Sequence, residues 1–298
     1  MPASLWLAAL PLQVATLPIA ISQDASQSAA ATDVVAIHAD ANQRMTVPVQ
    51  LGDHGSFRFL VDTGSQTTVV ASEVAQRLEL PIARSAMIVG VGGRTVAATA
   101  RVDRIALGRR SFDDVEVALL NAQHIGAQGI LGTDSLQGQR LLIDFERGVI
   151  AVTDARGPEV GAGFDIVVTA RRRHGQLIMT DATIDGVATS VVIDTGSDIS
   201  IGNPALRRAL SRKGAAVPNS LISVTGQQIA VDMVTAGKLD VGGITISKPL
   251  VAFAESPVFA QLRLAKRPAL LLGMRELRSF RRVAVDFSTR RIYFDLAA

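Results

Sequence analysis

Two acidic residues in this chain stand in the same setting. Asp62 closes the run Phe59-Leu60-Val61 and is followed by Thr63-Gly64-Ser65; Asp194 closes Val191-Val192-Ile193 and is followed by Thr195-Gly196-Ser197. Carboxylates are general acids and bases. Two that share a site cannot both ionise, so such a pair holds one proton and offers an acid and a base together. A carboxylate at the end of a buried strand is costly unless it is hydrogen-bonded and used. The two tetrapeptides are identical and 132 residues apart, which reads as one Asp from each copy of a duplicated unit.

The elements that must position them follow the same order twice. In the first copy Met45–Leu51 and Ser56–Val61 read as a hairpin across Asp53-His54-Gly55, delivering Asp62. Thr67–Val70 then reads as strand, and Ser72 as the cap of a short helix that stops before Pro81. Met87–Gly93 and Thr95–Val102 form a hairpin with a glycine-rich tip. Gly129-Ile130-Leu131-Gly132 is an apolar pair closed by Gly, and Leu141–Phe145 with Val149–Thr153 ends the copy. In the second copy Ile178–Ile184 and Thr189–Ile193 turn at Asp185-Gly186, and Ile199–Ile201 follows Asp194. Asn203 caps a helix with Pro204 at its first position and Gly214 beyond its end. Thr225-Gly226 is the hairpin tip, Leu271-Leu272-Gly273 the apolar step, and Val283–Phe287 with Arg291–Phe294 the closing hairpin. The offset is 132 at the Asp, 134 from Gly108 to Gly242 and 141 from Gly132 to Gly273. A slow drift of this kind is what loop insertions produce in a duplicated fold, seven of the inserted residues falling between Glu255 and Pro268. Asp144 and Asp286 also pair by the repeat; each precedes a tight hairpin and reads as structural.

Taken together, the paired Asp-Thr-Gly-Ser loops and their matched landmarks resemble the aspartic peptidases, both pepsin-like and retropepsin-like, over residues 44–298. The resemblance implies an all-β fold of two pseudo-symmetric β-barrel lobes with a cleft between them. It also implies peptide-bond hydrolysis by a water held between Asp62 and Asp194. By the same resemblance Thr63 and Thr195 exchange hydroxyl bonds with the opposing loop. Gly90, Val91, Gly92 and Gly93, with Thr225 and Gly226, become flap tips over the substrate. The apolar step pins the loop from beneath. Gly64 and Gly196 let the loops approach and present N–H groups to the carboxylates. Ser65 and Ser197 are placed to donate to the carboxylates, which would lower both pKa values and set the activity window on the acid side of neutral. The only tyrosine, Tyr293, lies outside either hairpin tip, so the chain departs from the pepsin flap and looks more like a fused retropepsin dimer. The runner-up reading is a catalytically silent peptide-binding module on the same fold.

Other chemistries find little support. There is no cysteine, hence no disulfide or thiolate site, and the four histidines show no metal-ligand spacing. Gly90-Val91-Gly92-Gly93 puts Thr95 where a dinucleotide fingerprint needs its third glycine. No cofactor and no metal are expected. A net charge of +3 with scattered arginines does not suggest nucleic acid. The expected partner is a peptide or protein substrate, bound by a monomer because both acids lie in one chain. Residues 1–22 carry an uncharged apolar run from Leu5 and a small-x-small site at Ala20-Ile21-Ser22, read as a signal peptide or membrane anchor. That places the protein outside the cytoplasm, periplasmic or secreted. Residues 23–43 read as a disordered linker, 44–156 as the first lobe, 157–163 as a linker and 164–298 as the second lobe.

Overall fold

Alternation along Met45–Leu51 sets the first lobe: Val47, Val49 and Leu51 are buried while Pro48 and Gln50 face solvent. The strand pairs antiparallel with Ser56–Val61, Thr46 opposite Leu60, as the hairpin pattern predicts. The computed structural model describes residues 33–40, 44–154, 163–210 and 216–296. Among the described residues strands dominate, and six short helices interrupt them: α1 (Ser72–Arg77), α2 (Ala122–Ile125), α3 (Thr133–Leu136), α4 (Pro204–Ala209), α5 (Pro257–Gln261) and α6 (Met274–Leu277). The fold is all-β with two lobes.

Each lobe delivers its Asp by the same three-strand device. Ser56–Val61 runs parallel to Gly129–Leu131, which is antiparallel to Val69–Ala71. In the second lobe Ser190–Ile193 runs parallel to Ala269–Leu272, which is antiparallel to Ser200–Gly202. The apolar step therefore lies between the strand entering the loop and the strand leaving it. The N–H of Asp62 donates to Leu131 O and that of Asp194 to Leu272 O, both at 3.0 Å. Gly132 is required here because a Cβ would stand 2.7 Å from the backbone of Thr67; at Gly273 it would stand 2.5 Å from Ile199.

The lobes are joined by a shared sheet. It begins Asp33–Ala36, Val149–Asp154, Gln139–Asp144, Phe280–Asp286, Arg291–Leu296 and Ile166–Arg173, and runs on through Gln176–Met179 into the strands of the second lobe. The central pair is antiparallel with Leu142 opposite Ala284. Asp286 lies there with no exposed surface, bonded to Arg140 at 2.8 Å and accepting the N–H groups of Ser288 and Thr289. That is the structural role expected of it.

Several local expectations are corrected. Residues 33–39, counted in the disordered linker, form two short strands, because Asp33–Ala36 completes the shared sheet and buries Val35. Ser72 is the first residue of α1 and caps nothing; Ala71, extended, carries strand directly into helix. The strand before α1 is Val69–Ala71, since the N–H and hydroxyl of Thr68 are taken by the Asp134 carboxylate. The expected strand Ile178–Ile184 is two strands. Gln176–Met179 pairs with Ser190–Ile193, while Ala182–Ile184 joins Lys238–Val241 in a separate four-stranded sheet. The first flap hairpin is longer than expected, Ile82–Gly90 with Gly93–Leu107. Asn203 caps α4 as expected, accepting from Leu206 N–H at 2.8 Å. Gly214 and most of the linker 157–163 lie outside the described residues.

Candidate active site

Asp62 and Asp194 meet at the floor of a cleft of about 860 Å3 between the lobes, each carboxyl lying against the glycine of the other's loop. Asp62 Oδ1 accepts the N–H of Gly64 at 2.8 Å and of Ser65 at 2.9 Å; Asp194 Oδ1 accepts that of Gly196 at 3.1 Å. The loops are in contact across the pseudo-twofold. A Cβ on Gly64 would stand 2.6 Å from Asp194 Oδ1, and one on Gly196 would overlap the Asp62 carboxylate. Thr63 Oγ1 donates to Ile193 O at 2.8 Å and Thr195 Oγ1 to Val61 O at 2.6 Å. Each hydroxyl also accepts the other threonine's N–H, at 3.0 and 3.3 Å. Both threonines are buried, so this reciprocal set holds the two loops in register.

Burial pushes both carboxyls above the ordinary carboxylate range. The Gly64 and Ser65 N–H groups pull Asp62 back, whereas Asp194 goes to about 8, through burial first and then the charge of Asp62. The pair holds one proton through neutral pH, and the surroundings weight it toward Asp194. A stability effect follows. The folded value of Asp194 lies above its ordinary 3.8, so the folded chain keeps a proton that the unfolded chain releases. The associated stability is full below that lower value and lost as pH rises through about 8. Asp194→Asn is therefore expected to raise Tm at alkaline pH, by roughly several degrees. It should also flatten the decline between acid and alkaline buffers, followed by calorimetry. An equal decline in wild type and variant would contradict the assignment.

The serines do not act as the sequence suggested. Ser65 Oγ donates to Thr67 O at 2.9 Å and Ser197 Oγ to Ile199 O at 2.8 Å. A hydroxyl has one proton, and the loop turns back so that a carbonyl two residues on takes it. The carboxylates receive backbone N–H groups instead. Ser65→Ala with Ser197→Ala should leave the pH dependence of kcat/KM in place and cost about 1 kcal/mol of stability per lost bond. A bell displaced toward neutral pH would restore the hydroxyl-to-carboxylate reading.

The two hairpin tips meet over the cleft. Gly90 and Val91 line it; Gly92 and Gly93 lie against Ser223 and Gln227 of the other tip, where a Cβ would stand 2.8 and 2.7 Å from their side chains. Gly226 lines the cleft and Thr225 an adjoining groove. Thus all the flap residues expected from the sequence come together, and Ser223 and Gln227 join them.

Four further groups escaped the sequence reading. Arg44 and Gln176 occupy equivalent positions 132 residues apart, and both line the cleft. Arg44 stays in its own lobe, ion-paired to Asp40 at 2.6 Å and donating to Ile125 O. Gln176 crosses to donate from Nε2 to Gly64 O. Asp134 and Glu276 tie the apolar step to the strand leaving the loop. Asp134 accepts from Thr68 Oγ1 at 2.6 Å and Glu276 from Ser200 Oγ at 2.5 Å, and each hydroxyl in turn accepts the N–H of Gly132 or Gly273. The repeat offset was the available signal for the first pair. The second pair is out of register by one residue, which a longer side chain makes up.

The family model for aspartyl proteases matches this chain twice, over residues 47–135 and 180–275, well over half its length. The chain belongs to the aspartyl protease family. The two matches fall one on each lobe, and each contains one Asp-Thr-Gly-Ser loop and one apolar-Gly step. A search of curated proteins found no match. In this member of the family two acids lie side by side, buried threonines fix their loops, and the hairpin tips lie over the cleft above them.

Proposed function

We propose that this aspartyl protease family member is an endopeptidase that hydrolyses peptide bonds with a water held between Asp62 and Asp194. The observation that carries the reading is the pair of buried carboxyls brought face to face at the floor of the cleft by two loops that the reciprocal threonine bonds hold together. The ionised carboxylate takes a proton from the water as its oxygen attacks the scissile carbonyl carbon. The protonated carboxyl gives its proton to the carbonyl oxygen. Collapse of the tetrahedral adduct breaks the C–N bond as the proton held by the first carboxyl passes to the leaving nitrogen; one hydroxyl of the adduct re-forms the carbonyl and returns its proton to the second carboxylate, restoring the starting pair. Flaps over the cleft exclude water and hold an extended chain. Apolar walls at Val69, Ile130, Ile201 and Leu271 favour apolar side chains beside the scissile bond.

A single chain supplies both acids, so the monomer is the proposed working unit. Export is proposed on the uncharged apolar run Leu5–Ser22, which lies outside the described residues. Among the described residues no helix is long and apolar enough to cross a membrane. Digestion of a mixed peptide library, read by mass spectrometry, tests the activity. New termini flanked by apolar residues are expected; saturable binding of the same peptides with no new termini would support the silent binding module.

A further inference from the structure

The two lobes are not equivalent beside the cleft, and the difference lies in the insertion before Pro268. In the second lobe α5 and the turn after it place Phe259, Leu262 and Leu264, all nearly fully buried, against Ile229 and Val231. The tip residues Val89 and Val91 of the first flap pack onto the same cluster. Gln261 Nε2 reaches Gln66 Oε1 in the first lobe at 3.0 Å, so that end of the cleft is closed by the insertion.

In the first lobe the same space is open. The repeat puts Thr95 and Ala97 where the second lobe has Ile229 and Val231, and His124 where it has Phe259, counting from the helix caps Asn121 and Ser256. No counterpart of Leu262 or Leu264 follows α2, because the insertion is absent. A groove of about 600 Å3 results, between α1, the first flap and α2, with Val224 and Thr225 of the other flap at its mouth. It adjoins the cleft, with Leu120, His124 and Val224 lining both and the His124 ring lying against Gly226 of the other tip. Gln76 and Glu79 of the α1 end form its outer wall. Glu79 is exposed, and no Lys or Arg lines the groove.

We propose that this groove is a substrate subsite present on one side of the cleft only. It takes a basic side chain of the peptide beyond the residues that flank the scissile bond. The inference rests on the proposed function and deepens it: an extended peptide leaving the cleft past His124 enters a groove whose mainly apolar walls suit the stem of a long side chain and whose formal charge is the Glu79 carboxylate. At the opposite end it meets the apolar plug of α5. Recognition is therefore lopsided although the catalytic loops are symmetric.

The test uses the full chain and fluorescent peptides: a short one that fills only the cleft, and longer ones extended at either end with Lys, Glu or Ala. A gain in kcat/KM is expected for extension at one end only, with Lys preferred over Glu by about fivefold. Glu79→Lys should reverse that preference, and Gln76→Trp should remove the gain from extension relative to the short peptide. Equal gains at both ends, or a Lys-to-Glu ratio that Glu79→Lys leaves unchanged, would overturn the subsite while leaving the peptidase reading intact. Failure to cleave any peptide would defeat the peptidase reading instead. The subsite would then be read from anisotropy of the same peptides, where the same one-sided order of affinities is expected and equal affinities would overturn it.

Discussion

Asp62→Asn and Asp194→Asn should each lower kcat/KM by at least about 10^3-fold, because neither acid has a substitute in the other. An asparagine oxygen still accepts the N–H bonds of Gly64 and Ser65 at position 62, or of Gly196 at position 194, so the loops keep their shape. What is lost is the ability to take or give a proton. The threonine bonds that hold the lobes in register do not involve the carboxylates, and circular dichroism should report an unchanged fold. Activity within tenfold of wild type in either variant would exclude a water shared between the two acids. The pH profile belongs to the same pair. With Asp194 raised to about 8 by burial and then by Asp62, activity should persist through neutrality and fall as pH rises through that value.

The second large effect is expected far from the cleft. Asp286→Ala should destabilise the chain by about 3–5 kcal/mol, since it removes the carboxylate that the fully buried Arg140 guanidinium bonds to at 2.8 Å. The pair lies on the two central strands of the shared sheet, so the loss falls on the contact between lobes. Replacing both, as Arg140→Met with Asp286→Asn, should recover much of the loss because the buried cation goes together with the carboxylate. The repeat equivalent behaves differently. Asp144 stands opposite Arg282 in the sheet, but Arg282 turns to Asp295 at 2.5 Å, and the cation near Asp144 is the exposed Arg147 at 3.9 Å. Asp144→Ala should therefore cost less, on the order of 1 kcal/mol. Urea denaturation of the variants decides this. Equal losses at 144 and 286 would show that the hairpin turns, and not the buried ion pair, dominate.

The sequence by itself determined the parts of this protein whose causes are local. Strand, acid, hydroxyl and glycine follow one another within seven residues at Asp62 and again at Asp194, and the hairpins that deliver them show their alternation directly. The order of landmarks revealed the duplication, and with it the two lobes. Only the tertiary structure decided where each donor points. Ser65 Oγ was read as a donor to the neighbouring carboxylate, but the loop's return brings Thr67 O closer to its single proton. Gln176 and Arg44 share a place in the repeat, yet one crosses between lobes and the other stays, because Asp40 holds the guanidinium. The insertion before Pro268 was legible as seven extra residues. That it plugs one end of the cleft depends on Phe259, Leu262 and Leu264 meeting strands some thirty residues earlier in the chain. Such choices are made by the surfaces that packing brings together, and spacing along a chain does not carry that information.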